Sequence, residues 1–589
     1  MEFRFHGFLS SLSTPDRPAE RGDSSAFLHR YWALIPRRLP RPQEFAFAGA
    51  QTSTAKYTGN QCGPRFKRFT IDTTEMAPMN WKCFASLWML LFLSTNVLGD
   101  DAPPSKDTTA EEKSSDKLTD QFVTTEHSFS VAGETIDYTA TAGRLVMQTD
   151  ELDPKAEVFF VSYTRKSDDI TKRPITFCFN GGPGSSSVWL HLGMLGPKII
   201  RFPDDASVLR PPYHLDENHQ SLLDITDLVF IDPVSTGYSR PAKDVNKSDF
   251  HGYNEDVRSV GQFIHDYTTQ FERWLSPKLI LGESYGGLRV AGLSGYLRDH
   301  YKMELNGAIV ISGAINFQTL RFSPSNDVPD VCFLPTYTAT AWYHKQLDEE
   351  LQSLPLAEVV AKSEKFAYRQ YAPALLKGTS IGKKELQRVA EELASLTGLS
   401  EEYLLSSNLK ISMQRFGKEL LRDQALTVGR FDGRYTSIDR DSAGETPEFD
   451  ASGAAIFGPF TACLNDYMHR DLKYKDRRVY EILTGNVHPW SYKPFEGRYV
   501  DASETLRRAM TANPSFKLFV ACGYYDLATP HFAMEYTIDH MGLSSERSKN
   551  LTIKHYEGGH MMYVHEPSLK QLRQDLVEFY KDAVGETAQ

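Results

Sequence analysis

Lys278-Leu-Ile-Leu-Gly-Glu-Ser-Tyr-Gly-Gly-Leu288 is the stretch on which the fold turns. An apolar run of strand length, Leu279 to Leu281, leads into Gly282-Glu283-Ser284-Tyr285-Gly286, and a helix-prone segment follows from Leu288 to His300. Gly-x-Ser-x-Gly between a strand and a helix describes a sharp turn that lifts a serine hydroxyl above a sheet. The glycines are needed because no side chain fits where strand and helix crowd each other. Ser284 is therefore the candidate nucleophile.

A hydroxyl is a weak nucleophile near neutral pH; it needs a base, and the base needs an orienting carboxylate. When the serine sits on such an elbow, the chain order is Ser, acid, His. Asp526 follows the apolar run Lys517–Ala521 in Cys522-Gly-Tyr-Tyr-Asp526-Leu-Ala-Thr-Pro530, and His560 follows the run Leu551–His555 in Tyr556-Glu-Gly-Gly-His560-Met561. His531, His540, His555 and His565 compete for the role, but of these only His560 follows a Gly-Gly turn at a strand end. The remaining requirement is a pair of donors for a developing oxyanion. The loop Phe179-Asn-Gly-Gly-Pro-Gly-Ser-Ser-Ser187 leaves backbone N–H groups free, and those of Gly182 and Tyr285 are assigned to the oxyanion.

Working outward, short continuous apolar runs at 175–179, 228–231, 279–281, 308–311, 517–521 and 551–555 suit strands covered on both faces. Helical spacing recurs between them, as in Val257, Val260, Phe263, Ile264, Tyr267 and Phe271 of the segment Tyr253–Trp274. Before them, alternating segments at 127–131, 134–138, 144–148 and 158–163, punctuated by Gly133 and Gly143, predict antiparallel strands. The expected architecture is an α/β-hydrolase fold, a mostly parallel central sheet with helices on both faces. Its core is expected over 122–320 and 515–589. Residues 321–514 break the rhythm and read as a largely helical cap insertion. A final amphipathic helix is expected from about Pro567 to Val584.

The chain has 589 residues and a formal charge of -11, with 41% hydrophobic and 12% aromatic residues. That composition supports a large core. A mean hydropathy of -0.41 excludes a multi-span membrane protein. An acidic body carries no electrostatic footprint for nucleic acid. Residues 1–75 hold nine Arg against two Lys without hydrophobic period and are expected to be a non-native or disordered extension, with translation starting at Met76 or Met79. Residues 76–99 read as a signal peptide: Lys82, the apolar run Cys83–Leu93, then Val97 and Gly99 before a cut at Asp100. Residues 100–121 are polar and rich in Pro, Ser and Thr, and read as a disordered linker. An exported enzyme follows, periplasmic or extracellular in a bacterium, secretory or lysosomal/vacuolar in a eukaryote, without a stable membrane partner. Four cysteines lie beyond the expected cut: Cys178, Cys332, Cys463 and Cys522. They allow three pairings, although Cys178 and Cys522 sit in apolar runs and read as buried thiols. No pair has zinc-site spacing, and no metal or cofactor is expected.

Asn180-Gly-Gly-Pro-Gly-Ser-Ser-Ser187, Ile231-Asp-Pro-Val-Ser-Thr-Gly-Tyr-Ser239, Gly282-Glu-Ser-Tyr-Gly-Gly287, the Asp526 loop and Gly558-Gly-His-Met561 together resemble the serine carboxypeptidase family. The likeness runs from about His127 to the end, in the family's order. It implies removal of a peptide's last residue through an acyl-enzyme, often best at acidic pH, with Asn180 and Glu283 binding the substrate's C-terminal carboxylate. Such a role asks Glu283 to be protonated, so that it donates a hydrogen bond to the anion. Two positions depart from the family. Cys178 stands where a Trp is common, and Met194 stands where a second Glu commonly pairs with the acid beside the nucleophile. That leaves burial, or another acid, to raise Glu283. Tyr238 and Tyr525 are possible pocket residues, though aromatic packing explains them as well.

Three readings stay open on the sequence. The first is a serine carboxypeptidase acting on peptides with a free C-terminal carboxylate. The second is an esterase or acyltransferase of the same fold, which gains weight from Met194. The third is a non-catalytic binding protein on this scaffold.

Overall fold

The computed structural model describes residues 118–585; the expected extension, signal segment and most of the expected linker lie outside them. One mixed sheet of ten strands organises these residues. Its principal strands are β1 (Gln121–Val131), β2 (Glu134–Gln148), β3 (Pro154–Arg165), β4 (Ile175–Phe179), β5 (Asp227–Ile231), β6 (Lys278–Glu283), β7 (Gly307–Ile311), β8 (Lys517–Gly523) and β9 (Leu551–Tyr556), and the short pair Arg240–Pro241 joins β3 at its edge. The spatial order is β1-β2-β3-β5-β4-β6-β7-β8-β9. Antiparallel pairing links β1, β2, β3 and β5, and every pairing from β5 through β9 is parallel. An antiparallel start, one strand exchange at β4/β5 and a parallel run to the last strand make this an α/β-hydrolase fold. Gly143, expected to separate two strands, lies inside the continuous β2. There its missing side chain lets the backbone of Gln121 approach, since a Cβ would meet the Gln121 carbonyl oxygen at 2.1 Å.

The parallel strands are apolar without interruption because each covers two cores. Cys178, Phe230, Leu281, Ile309 and Phe519 face one side, where helix Glu566–Val584 packs. Phe177, Val229, Ile280, Val310 and Val520 face the other. That second side holds α1 (Tyr253–Gln270) and α2 (Gly286–Tyr301). Val257, Val260, Phe263, Ile264 and Tyr267 of α1 are all buried there, which is the helical stripe that the sequence shows.

A third core belongs to the insertion and joins α3 (Val328–Tyr343), α4 (Leu356–Phe366) and α5 (Lys383–Thr397). Two features differ from the sequence reading of 321–514. Past the polar stretch comes a 20-residue helix, α6 (Ala451–Arg470), which puts Phe460, Leu464 and Tyr467 into the sheet's own core. The segment carrying Phe495, Val500, Leu506 and Met510 packs on the sheet side of α1 and α2, not on the helical insertion. Its apolar residues are too few and too irregular to reveal that partner in one dimension. Cys178, Cys332, Cys463 and Cys522 are buried free thiols. Among the described residues no helix is long and apolar enough to cross a membrane.

A buried ion pair fixes α1 to α2 below the Gly-rich loop. Arg289 and Asp256 are almost fully buried, and they meet through two hydrogen bonds of 2.8 and 3.0 Å. The remaining Arg289 nitrogen donates to the Asn180 carbonyl at 2.5 Å. Removing one partner leaves an uncompensated buried charge. Arg289→Met alone should lower the unfolding free energy by about 3–5 kcal/mol in urea titrations. The double change Arg289→Met with Asp256→Leu should cost markedly less. Equal losses for the single and double variants would mean that the pair contributes packing and not charge.

Candidate active site

The turn after β6 carries Ser284 at φ 62°, a conformation that non-glycine residues rarely hold. Three backbone hydrogen bonds impose it: Ser284 N–H donates to the Ile311 carbonyl at 3.0 Å, and the Ser284 carbonyl accepts from Gly287 at 2.8 Å and Ala314 at 2.9 Å. Gly282 permits the crowding, since a Cβ there would meet the Gly286 carbonyl oxygen at 2.3 Å. The strand–turn–helix therefore presents Ser284 at the C-terminal edge of the parallel sheet, where the loops after β4, β8 and β9 also end.

Asp526 and His560 come from those last two loops. His560 Nδ1 lies 2.9 Å from Asp526 Oδ2, and both side chains are buried. Asp526 is held by a full set of donors. Its Oδ1 accepts from the amides of Ala528 at 2.8 Å and Thr529 at 2.9 Å, and its Oδ2 accepts from the Thr529 hydroxyl at 2.8 Å. A carboxylate fixed in this way fixes the imidazole, leaving Nε2 as the ring nitrogen that can serve as base. Burial alone would push the His560 imidazolium down. The Asp526 charge and hydrogen bond, with Glu283 adding, outweigh burial and Arg430, so His560 titrates above its ordinary range. Ser284 Oγ has no hydrogen-bond partner among the described residues, the His560 ring included. Both residues line one cavity of about 360 Å³. A nucleophile–base hydrogen bond is commonly long before substrate binds and tightens in the complex.

The Gly-rich loop after β4 presses on the elbow. A Cβ on Gly181 would fall 2.4 Å from the Tyr285 amide nitrogen. Neither the Gly182 nor the Tyr285 N–H has an acceptor among the described residues, so two donors stand free beside Ser284, as an oxyanion requires.

Asn180 and Glu283 line the same cavity. Asn180 is almost fully buried; its Oδ1 accepts from the Leu190 amide at 3.2 Å, and its Nδ2 has no partner. A buried donor left in that state costs about 1–3 kcal/mol unless a ligand takes it. Glu283 is buried beside it, and Tyr563 Oη donates to its Oε2 at 2.6 Å. Burial is the main force on Glu283, with Asp526 adding; His560, the Tyr563 hydrogen bond and Asn180 oppose it, and the net result is a carboxyl pushed up to about 7. Met194 is a buried apolar residue.

Tyr238 and Tyr525 are not pocket residues. Tyr238 packs edge-on against Phe159 and Tyr480 in the sheet core, and Tyr525 packs against Tyr343 with Arg434 over its ring. The aromatic packing that explains them equally well from sequence is where the structure puts them. The cavity is instead walled by Trp189, Ile456, Phe457, Leu483, Arg430 and Phe431, most of them from the 321–514 region. Phe431 also clamps the histidine loop: its carbonyl accepts the His560 N–H at 2.5 Å, and its ring lies 5.3 Å from the imidazole. No periodic signal marks 430–431. Thr529 and Tyr563 lie three residues beyond Asp526 and His560; Thr529 contacts its own loop's Asp526, whereas nothing in the sequence ties Tyr563 to Glu283.

Residues 137–410 match the family profile described as serine carboxypeptidase. Over that span the chain is similar to the serine carboxypeptidase family. The matched span includes Asn180, Gly182, Glu283 and Ser284 and stops short of Asp526 and His560. The pheromone-processing carboxypeptidase KEX1 of Saccharomyces cerevisiae is 30% identical over 205 residues, covering 31% of this chain and 27% of its own. The chain thus aligns with little more than a quarter of that relative's length. Serine carboxypeptidase-like 35 of Arabidopsis thaliana is 23% identical over 483 residues, 78% of this chain and 86% of its own. Among solved structures, a peroxisomal α/β-hydrolase of Saccharomyces cerevisiae aligns over 79% of this chain and 90% of its own, at 11% identity and a TM-score of 0.28.

If His560 is the base for Ser284, a fluorophosphonate probe should label Ser284 in the folded protein, as read by peptide mass spectrometry. Asp526→Asn should slow that labelling by about 10⁴-fold through the wrong imidazole tautomer. Labelling at an unchanged rate would remove Asp526 from the group.

Proposed function

We propose that this protein is a serine-type carboxypeptidase that cleaves the C-terminal peptide bond of peptides. The observation that carries the reading is the end of the cavity next to Ser284: an unpartnered buried amide on Asn180 beside a carboxyl on Glu283 that is neutral below about pH 7. Together they make a socket of two donors for one carboxylate, within the cavity that Ser284 shares.

The proposed mechanism uses these groups in turn. His560 Nε2 takes the Ser284 proton as Oγ attacks the carbonyl carbon of the last peptide bond. Asp526 stabilises the imidazolium through Nδ1–H. The tetrahedral oxyanion lies between the N–H groups of Gly182 and Tyr285. As the C–N bond breaks, His560 gives its proton to the leaving amine, and the freed amino acid departs from the Asn180–Glu283 socket. Water, deprotonated by His560, then hydrolyses the ester on Ser284.

A second cavity also borders Ser284 and Gly182; Phe317, Phe322, Phe333 and Met413 line it together with Arg321 and Gln414, and this mixed wall offers room for a residue on the acyl side of the bond. The family match and the named relatives support the same reaction class. The reading extends to an exported enzyme, supported by the basic and apolar pattern of 79–99.

Two measurements test the function. Ser284→Ala should abolish release of the last residue from blocked dipeptides, and the wild type should strongly prefer a free-acid dipeptide over its amide. Comparable turnover of acid and amide would favour the esterase or acyltransferase reading. The pH profile is a separate expectation. His560 must be neutral to act as base, so kcat/KM rises with pH through a midpoint above the ordinary imidazole value of about 6.5. Glu283 must be protonated to accept the anion, so the free-acid profile falls again above about 7. A narrow bell near neutrality is therefore expected for the acid, and the amide should lack the alkaline fall. A maximum well below pH 6 would contradict these assignments.

A further inference from the structure

We propose that Tyr563 is a positioning residue for terminal-carboxylate recognition, holding Glu283 by one oxygen so that the other faces the substrate. The inference deepens the carboxypeptidase reading and rests on it.

The geometry is one-sided. Tyr563 Oη donates to Glu283 Oε2 at 2.6 Å, and both side chains are buried. A phenol has one proton to give. Spent on Oε2, it keeps that oxygen an acceptor. A proton bound by Glu283 is then carried on Oε1, the oxygen that no described residue holds by a hydrogen bond of proper geometry. Among the described residues the neighbouring donor is the Asn180 amide, close enough to pull the Glu283 carboxyl down against burial yet itself without a partner. Oε1–H and Asn180 Nδ2–H are thus the two donors left for a ligand. The other charged groups that act on Glu283 are His560 and Asp526, with Arg430 reaching the His560 side from the insertion. None of them supplies a bond that would choose between the two oxygens.

The surroundings are built for this phenol. A Cβ on Gly193 would lie 2.7 Å from the Tyr563 ring and 3.1 Å from Phe460, so any larger residue there would push the ring off its acceptor. The adjoining Met194 is buried and offers no polar group to Glu283. Burial holds the Tyr563 phenol well above its ordinary range, so it stays a donor throughout the working pH. The partner of the acid next to the nucleophile is therefore a group that never titrates. Glu283 then takes up and loses its proton as a single acid and not as half of a shared-proton pair.

Tyr563→Phe tests this with free-acid and amide dipeptides followed across pH. Losing the donor removes a bond that favours the carboxylate, so the alkaline limb of the free-acid profile should move up by about one pH unit or more. At pH 6 KM for the free acid should rise about tenfold, as one oriented hydrogen bond to the substrate is lost. Turnover of the amide and fluorophosphonate labelling of Ser284 should stay at wild-type rates, which also shows that the variant is folded. In a Glu283→Gln background, Tyr563→Phe should no longer move any limb. If Tyr563→Phe does not accumulate, Gly193→Ala displaces the same ring and should give the same shift. An unmoved limb with an unchanged free-acid KM would overturn the inference. A wild type indifferent to acid or amide would instead overturn the carboxypeptidase reading beneath it.

Discussion

The left-handed backbone at Ser284 is the constraint on which the site depends. It sends three consecutive residues in three directions. Glu283 is turned down into the protein against Tyr563, Ser284 is held at the surface of the cavity, and the Tyr285 amide is left without an acceptor. A conformation of this kind costs on the order of 1–3 kcal/mol. Hydrogen bonds from Gly287 and Ala314 to the Ser284 carbonyl, and from Ser284 to Ile311, offset it and tie the elbow to β7, the next strand. The groups proposed as anion socket, nucleophile and oxyanion donor thus come from a single turn, and their spacing is set by backbone geometry.

What the turn does not supply arrives on other parallel strands. Asn180 and Gly182 follow β4, Asp526 follows β8 and His560 follows β9, so a shared sheet edge gathers residues that are hundreds of positions apart. The Arg289–Asp256 pair carries the connection downward: the same guanidinium that locks α2 to α1 also holds the Asn180 carbonyl. Loss of that pair would reach the site through the loop it supports.

Much of this was legible in the sequence because the chemistry is local. The elbow, the Gly-rich loop and the Gly-Gly-His turn each occupy fewer than ten residues, and each follows an apolar run that reads as a strand. The parallel strands were equally readable, since burial on both faces leaves them uniformly apolar. The antiparallel β2 was read as two pieces because Gly143 usually interrupts a strand, whereas here it admits a neighbouring backbone. The cavity walls were not readable. Phe431, Ile456 and Phe457 come from an insertion whose three-dimensional path sequence spacing does not encode. Tyr563 escaped notice for a different reason: its partner Glu283 lies 280 positions earlier, and only the fold brings them together. Tyr238 and Tyr525 read equally well as pocket or packing residues, and they pack in the interior.

The most direct test of the account is a crystal structure of the Ser284→Ala protein with a blocked dipeptide free acid bound. The account predicts the peptide's terminal carboxylate within hydrogen-bond distance of both Asn180 Nδ2 and a Glu283 oxygen, and its last carbonyl oxygen between the amides of Gly182 and Tyr285. A peptide bound with its carboxylate elsewhere, for instance on the Arg430 guanidinium with the Asn180 amide still unpartnered, would contradict it.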